Sequence, residues 1–234
     1  MDQGDLSAVV GADPFDLIDR ECDRVDEFYT YLSESEWSAP TRCAGWSRRD
    51  LLAHLAAGED YTRAGLDGRV AEFLESSGAA SMDEFNEWGI RKRAALPPAE
   101  LLAEWRELCR DNRARLRERG VDGTIDTSVG DYPVGKQTYY LAAEVATHAD
   151  DAGVPIRDTE REQRLDWRTR FARVAVDDSG RGVSVSPQGG AEVVQLGDDQ
   201  VRLTDEEFVE AVARRLPGPF PIPDTLREAL VVLA

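Results

Sequence analysis

The sequence has few cysteines and almost no histidines: three Cys and two His in 234 residues. Cys22, Cys43 and Cys109 are an odd number at wide, unpatterned spacings, so neither a disulfide framework nor a CxxC metal knuckle is indicated. Long apolar runs are also absent, since none approaches the roughly 18 residues of a membrane span. The acidic N-terminus lacks the basic start and apolar stretch of a signal peptide. We therefore expect a cytoplasmic protein with reduced thiols.

Basic residues are scarce as well. The chain has 28 Lys and Arg against 46 Asp and Glu, which gives a formal net charge of −18. Nucleic acids and anionic membranes are bound through clustered Lys and Arg, so neither is an expected partner. Apolar residues at 41% and charged residues at 32% are typical of a globular protein. The oligomeric state is not determined by the sequence, although a monomer is favoured.

The residue pattern divides the chain into two regions of different structure. Up to about residue 155, apolar residues recur at helical spacing, and helices are predicted to begin near Asp13-Pro14, Ser47, Ser81, Pro97-Pro98 and Lys136. A polar loop is expected around Gly130 and Pro133. Later segments alternate apolar and polar residues as half-buried strands do, namely RFARVAVD (170–177), RGVSVSP (181–187) and AEVVQLG (191–197). The predicted fold class is a two-domain α+β protein: a helical bundle over 1–157 and a small α+β domain with a mostly antiparallel sheet over 158–234.

Helix capping signals support these boundaries. Ser47 with Asp50, and Ser81 with Glu84, have the spacing of capping boxes, and Thr204 with Glu207 repeats it in the second domain. Cys22, Cys109 and the tryptophans Trp46 and Trp105 lie on apolar stripes or beside helix starts, and we expect them to pack in the core.

Both histidines fall on predicted helices of the bundle. Glu144 and His148 are four residues apart, so they project from one face, which is otherwise apolar. A carboxylate without a partner on that face would be costly to bury. His54 lies on the apolar stripe of another helix. Two imidazoles and a carboxylate are a ligand set of catalytic zinc, and Asp151 could accept the second imidazole N–H. A buried Glu–His hydrogen bond would give the same spacing.

Two stretches resemble the mycothiol-dependent maleylpyruvate isomerase family of DinB-like bundles. CAGWSRRDLLAHLAAGE, residues 43–59, is similar to the family's first signature, and EVATHADDAG, residues 144–153, is similar to its second, E-x-x-x-H-x-x-D followed by a small residue and Gly. The resemblance implies a DinB-like four-helix bundle with a sterol-carrier-like C-terminal domain. It also implies Zn²⁺ on His54, Glu144 and His148, with mycothiol as a cofactor; nickel, iron or manganese would suit the same ligands.

The implied function is an enzyme in which the bound metal converts mycothiol to a thiolate that attacks a small electrophile. In an isomerase the thiolate would add and later leave, whereas in an S-transferase it would remain attached. Two alternatives stay open. One is a metal-dependent hydrolase of the same bundle, with Asp151 or Glu59 as its base. The other is a non-catalytic, metal-bearing binding or regulatory protein.

Several further residues are candidates for the site. Trp88 is expected in the core, although with Asn86 it could line the cofactor pocket. Arg91 or Lys92 could bind a substrate anion, although a solvated helix face is favoured for both. Cys43 could be a fourth ligand or a redox-active thiol, although a small packed residue is favoured. Family members that act on maleylpyruvate end the second domain with a Trp-Gly-Arg-like segment whose Arg is expected to reach the active site. AVARRLPG, residues 211–218, lacks that Trp and Gly. Arg215, with Arg214 second, is the expected catalytic counterpart, and the departure weakens the case for a dicarboxylate substrate.

Overall fold

The computed structural model describes residues 3–233 and the side chains of residues 6–233. Its elements are α1 (Gln3–Val10), α2 (Pro14–Thr30), α3 (Glu34–Trp37), α4 (Arg48–Leu66), α5 (Val70–Ser77), α6 (Met82–Lys92), α7 (Pro98–Arg119), β1 (Thr124–Thr127), β2 (Gly130–Pro133), α8 (Val134–Ala152), α9 (Asp158–Asp178), β3 (Ser184–Pro187), β4 (Glu192–Leu196), β5 (Asp199–Leu203), α10 (Asp205–Val212) and α11 (Asp224–Leu230). The predicted two-domain α+β class is confirmed. One compact unit contains Asp13–Pro155, and the other contains Ile156 onward together with Asp5–Ala12.

The first unit is a four-helix bundle of α2, α4, α7 and α8. Helix α2 packs against α8 and α7, and α4 packs against α7 and α8. The core contains large side chains from each of the four helices, including Leu17, Leu51, Leu52, Leu101, Trp105 and Tyr139. Burial of Trp105, Cys22 and Cys109 confirms their expected place in this core. Among residues 3–233, no helix has both the length and the apolar character needed to span a membrane.

Local sequence signals set where the bundle helices begin. The Asp13 side chain accepts hydrogen bonds from two backbone N–H groups at the start of α2. Ser47 and Asp50 form the predicted capping box of α4. The predicted Ser81–Glu84 box forms only in part. Ser81 accepts from the Glu84 N–H, whereas the Glu84 carboxylate accepts from the N–H of Ala80.

Two glycines bring other elements close to α4. A Cβ at Gly89 on α6 would lie 2.4 Å from the Ala57 Cβ, so glycine allows α6 to pack directly on α4 one turn beyond His54. A Cβ at Gly65 would lie 2.6 Å from the backbone oxygen of Asp126. That oxygen belongs to an antiparallel β1–β2 hairpin, where a polar loop was expected. The hairpin forms because Ile125 buries its side chain against the bundle, a contact the local pattern does not reveal.

A buried ion pair joins α4 to the end of α6 and to α7. Arg93 is 1% exposed, and its Nη2 lies 2.8 Å from Asp60 Oδ2 and 2.7 Å from Glu104 Oε1. Lys92 Nζ also lies 2.7 Å from Asp60 Oδ2. Burial acts to raise the pKa of Asp60, but the hydrogen bonds from Lys92 and Arg93 outweigh it and hold the pKa below its ordinary value of 3.8.

We expect Asp60→Asn to lower the free energy of unfolding by about 1–2 kcal/mol at neutral pH, because Arg93 stays buried with only Glu104 as a charged partner. A carboxylate with a depressed pKa stabilises the fold above its unfolded-state pKa and loses that contribution as the pH falls through the folded-state value. The difference between the proteins should therefore narrow below about pH 4. Urea unfolding at a series of pH values measures this difference in the free energy of unfolding. Asp122→Asn, a substitution at an exposed residue, is the control. A difference that persists at low pH would contradict the ionic origin.

The second unit contains a three-stranded antiparallel sheet with the order β3-β4-β5. Its apolar positions pair across the strands, for example Val185 with Val194 and Val194 with Val201. The sheet shares a core with helices α9, α10 and α11. Thr204 and Glu207 form the predicted capping box of α10.

The prediction of a strand at residues 170–177 is wrong, because this segment lies inside α9. Phe171, Ala172, Ala175 and Val176 are buried. Their spacing of one, three and one residues is also that of a helical stripe, and α9 buries all four along one face. On the same helix, Arg173 pairs with the buried Glu192 of β4 at 2.5 Å.

Candidate metal centre

Two bundle helices bring the predicted triad together. His54 comes from α4, and Glu144 and His148 come from successive turns of α8. His54 Nε2 lies 3.1 Å from Glu144 Oε1 and 3.1 Å from His148 Nε2, and His148 Nε2 lies 3.1 Å from the same Oε1. The two histidines are 8% and 6% exposed, whereas the Glu144 side chain is 41% exposed. The three donor atoms thus form an equilateral triangle that solvent can reach beside Glu144.

Hydrogen bonding alone does not account for this triangle. A given imidazole nitrogen either donates or accepts, so at most two of the three contacts can be hydrogen bonds at one time. A divalent ion explains all three, because it attracts every lone pair at once. Ligand bonds of about 2.0–2.1 Å at tetrahedral angles would separate neighbouring donor atoms by about 3.4 Å, close to the spacing seen. The residues therefore fit a divalent metal.

Asp151 supports the triad from behind His148. Its Oδ2 lies 3.1 Å from His148 Nδ1, and its side chain is fully buried. When Nδ1–H donates to this carboxylate, Nε2 presents its lone pair towards His54 and Glu144. Burial acts to lower the pKa of His148, but the Glu144 carboxylate and the Asp151 hydrogen bond hold that pKa well above its ordinary value. Burial likewise acts to raise the pKa of Glu144, and the charge of His148 holds it well below its usual range.

The segment before α4 contributes contacts that the sequence pattern did not identify. The backbone N–H of Arg42 donates to the Asp151 carbonyl at 3.1 Å, which places the neighbouring Cys43 beside α8. The Cys43 thiol donates to Asp151 Oδ2 at 3.2 Å and lies 3.8 Å from His148 Nδ1. Cys43 therefore contacts the side of His148 opposite Nε2 and does not complete the triad. The sequence favoured a residue that only packs, but the Cys43 thiol and His148 Nδ1 both contact Asp151 Oδ2.

Trp46 lies over His54 and not in the bundle core, so its core prediction is wrong. It is half-buried, its ring centroid is 5.0 Å from that of His54, and its Nε1–H donates to Glu87 on α6 at 3.2 Å. Trp46 comes just before the N-cap residue Ser47, so its ring reaches the first turns of α4 from outside the bundle. The only signal for this role was the C-A-G-W-S stretch of the family signature.

The candidate cofactor residues Asn86, Trp88 and Arg91 lie on α6, the helix whose Glu87 accepts a hydrogen bond from Trp46. Trp88 packs in an aromatic cluster, with its ring 5.5 Å from Phe85 and 5.8 Å from Phe73, and Lys92 lies over it. Asn86 is half-buried and Arg91 is exposed. The cofactor-binding roles of Asn86, Trp88 and Arg91 stay predictions.

The remaining candidates belong to other surroundings. Arg215 follows α10 in the second unit, where its Nη1 donates to the Ala213 carbonyl at 2.9 Å, and its catalytic role stays a prediction. Glu59, a possible base for the hydrolase alternative, accepts a hydrogen bond from Asn112 on α7. Asp151, the other possible base, is engaged by His148 and Cys43.

Comparisons with known proteins agree with this arrangement. Residues 18–153 match the family described as the mycothiol maleylpyruvate isomerase N-terminal domain, which is more than half of the chain and contains the whole triad. The crystal structure of a histidine-to-alanine mutant of the mycothiol-dependent maleylpyruvate isomerase is similar in fold. It has a TM-score of 0.54 at 16% sequence identity, and the match covers 76% of this chain and 73% of that one. Comparison with curated proteins gives no match. Because the family model matches residues 18–153, which contain the bundle and the triad, this chain belongs to the mycothiol-dependent maleylpyruvate isomerase family.

Proposed function

We propose that the protein is a mycothiol-dependent isomerase acting on a small electrophilic substrate. His54, Glu144 and His148 hold its divalent metal, for which zinc is the leading candidate. The observation that carries this proposal is the triangle of donor atoms, each 3.1 Å from the other two, inside the part of the chain that matches the family. The alternative reaction is transfer of mycothiol sulfur to the same class of substrate, because both reactions begin with the same thiolate.

When bound, the metal and mycothiol would supply a thiolate nucleophile at neutral pH, which is the chemistry that attack on an activated double bond requires. The chain's own residues hold this centre in place. Asp151 fixes the orientation of the His148 ring through Nδ1. Trp46 covers one side of His54, and the exposed edge of Glu144 leaves a route for small molecules.

Support for isomerisation over hydrolysis comes from the carboxylates near the triad. A hydrolase would need a base with a free carboxylate oxygen facing the metal-activated nucleophile. Asp151 is buried behind His148, and Glu59 is engaged by α7, so neither is well placed for that task. A non-catalytic role has no comparable observation in its favour.

The direct test combines metal content, thiol binding and turnover. We expect one zinc ion per chain at the triad and mycothiol binding in calorimetry that disappears after chelation. In a panel of small cis electrophiles, with maleylpyruvate as one member, we expect conversion to the trans isomer only when both zinc and mycothiol are present. Zinc readdition after chelation should restore activity, and an unrelated small thiol serves as the control for mycothiol. Metal without mycothiol affinity would contradict the proposed function, while turnover in fully chelated protein would contradict the role of the metal.

A further inference from the structure

A second group of metal-ligating side chains lies inside the bundle, on α2, α4 and α7. Cys22 and Cys109 are each 1% exposed, and their sulfur atoms lie 3.0 Å apart. One carboxylate oxygen of Glu59 and both sulfurs all lie within 4.8 Å of one another. None of these residues belongs to the His54–Glu144–His148 triad. The three residues are distant in sequence, so the bundle fold itself brings them together.

Asn112 holds the carboxylate in this group. It lies one turn beyond Cys109 on α7 and is 1% exposed. Its Nδ2 donates to the Glu59 carboxylate at 2.7 Å and to the Glu59 carbonyl at 2.8 Å. Its Oδ1 is buried and has no hydrogen-bond partner among the residues that the structure describes. A buried amide oxygen without a partner is costly, which is consistent with a ligand missing from this neighbourhood.

The surrounding charge also suits a cation with anionic ligands. Two thiolates and one carboxylate around a divalent ion leave one net negative charge. Arg113 is adjacent to Asn112, and its Nε–H donates to the Cys109 carbonyl at 3.3 Å. Its positive charge would stabilise thiolates on Cys22 and Cys109. Arg113 Nη1 also lies 3.2 Å from Asp19 Oδ1 and 3.4 Å from Asp23 Oδ1, so its charge would offset only part of the excess negative charge.

We propose that Cys22, Glu59 and Cys109 form a second metal site for a thiophilic divalent ion, with zinc as the best match. Thiolate ligands select zinc over magnesium or calcium, and three side chains leave one position of a tetrahedral zinc ion for a further ligand. Bonds of about 2.3 Å at tetrahedral angles place two sulfurs about 3.8 Å apart, so the sulfurs, now 3.0 Å apart, would separate by about 0.8 Å on binding. Occupancy would tie α2, α4 and α7 together. This inference does not depend on the proposed function.

Cobalt separates the two sites, because only a thiolate ligand gives a sulfur-to-cobalt charge-transfer band in the near ultraviolet. Reduced protein carrying His148→Ala should lose the triad's ion yet still bind one Co²⁺ per chain and show the band. Adding Cys22→Ser or Cys109→Ser should remove both the ion and the band. Two control variants should keep both the Co²⁺ ion and the band. Val25→Ala removes buried volume one turn from Cys22 without removing a ligand, and Cys43→Ser removes the third thiol of the chain.

The band can also be followed in wild type and in Glu59→Gln, so the test does not require the cysteine variants to fold. In Glu59→Gln we expect Co²⁺ affinity at the thiol site to fall by at least about tenfold, since an anionic ligand becomes neutral. Reduced His148→Ala protein that is folded but shows no band overturns the proposal. So does freshly purified protein whose intact mass lacks two hydrogens until a reductant is added, because Cys22 and Cys109 would then form a disulfide.

Discussion

Glu144→Gln is expected to empty the triad and to lower kcat/KM by at least about 10³-fold, which corresponds to about 4 kcal/mol of transition-state stabilisation. Glu144 Oε1 lies 3.1 Å from both imidazole Nε2 atoms, and it is the only anionic member of the triad. A glutamine has nearly the same volume but offers a neutral oxygen or an N–H group, and the latter would repel a cation. Metal per chain and steady-state kinetics with mycothiol measure the result.

Glu87→Gln is the matched control for this change. Glu87 is an exposed carboxylate on α6 that accepts a hydrogen bond from Trp46, so it lies near the triad without contributing to it. We expect this variant to keep its metal and to remain within a few fold of wild-type activity. Circular dichroism shows whether both variants are folded. A folded Glu144→Gln protein with a full complement of tightly held metal would show that the triad is not the metal site.

The sequence predicted most helix starts because their signals are local. Ser47 and Asp50 lie within one turn, and their reciprocal hydrogen bonds form regardless of how the bundle is arranged. The segment around Phe171 was assigned wrongly for the complementary reason. Its alternation suits a strand edge and a helical stripe equally well, and the burial of one helix face in the second unit decides between them.

The triad was predictable because two of its members lie four residues apart on one helix. Spacing placed Glu144 and His148 on one face, the apolar stripe of another helix indicated His54, and the family signatures matched all three positions. The roles of Cys43 and Trp46 depend instead on the path of the segment before α4, which follows α8 through the hydrogen bond from Arg42 to Asp151. No periodicity describes such a path. The Cys22–Glu59–Cys109 group was missed for a similar reason, since its members are on three helices and meet only in the folded bundle.

Asp151→Asn is expected to weaken metal binding at the triad by about 10–100-fold, the usual cost of losing the outer partner of a metal-binding histidine. Asp151 is fully buried and its Oδ2 lies 3.1 Å from His148 Nδ1. An amide either accepts that hydrogen bond without a negative charge, which makes the imidazole less basic, or donates to Nδ1. In the second case the ring proton moves to Nε2, and the nitrogen facing His54 and Glu144 can no longer bind a metal.

Competition with a chelator of known affinity measures this loss, and Asp150→Asn on the same turn of α8 is the control. Asp151 also accepts from the Cys43 thiol, so the apo proteins' melting temperatures are needed to separate loss of metal affinity from loss of stability. If Asp151 orients His148, zinc affinity falls while mycothiol affinity at saturating zinc is nearly unchanged, because the triad itself is intact. Equal zinc affinity in the two variants would mean that packing alone orients His148, and that Asp151 acts only as a buried partner of Cys43 and Arg42.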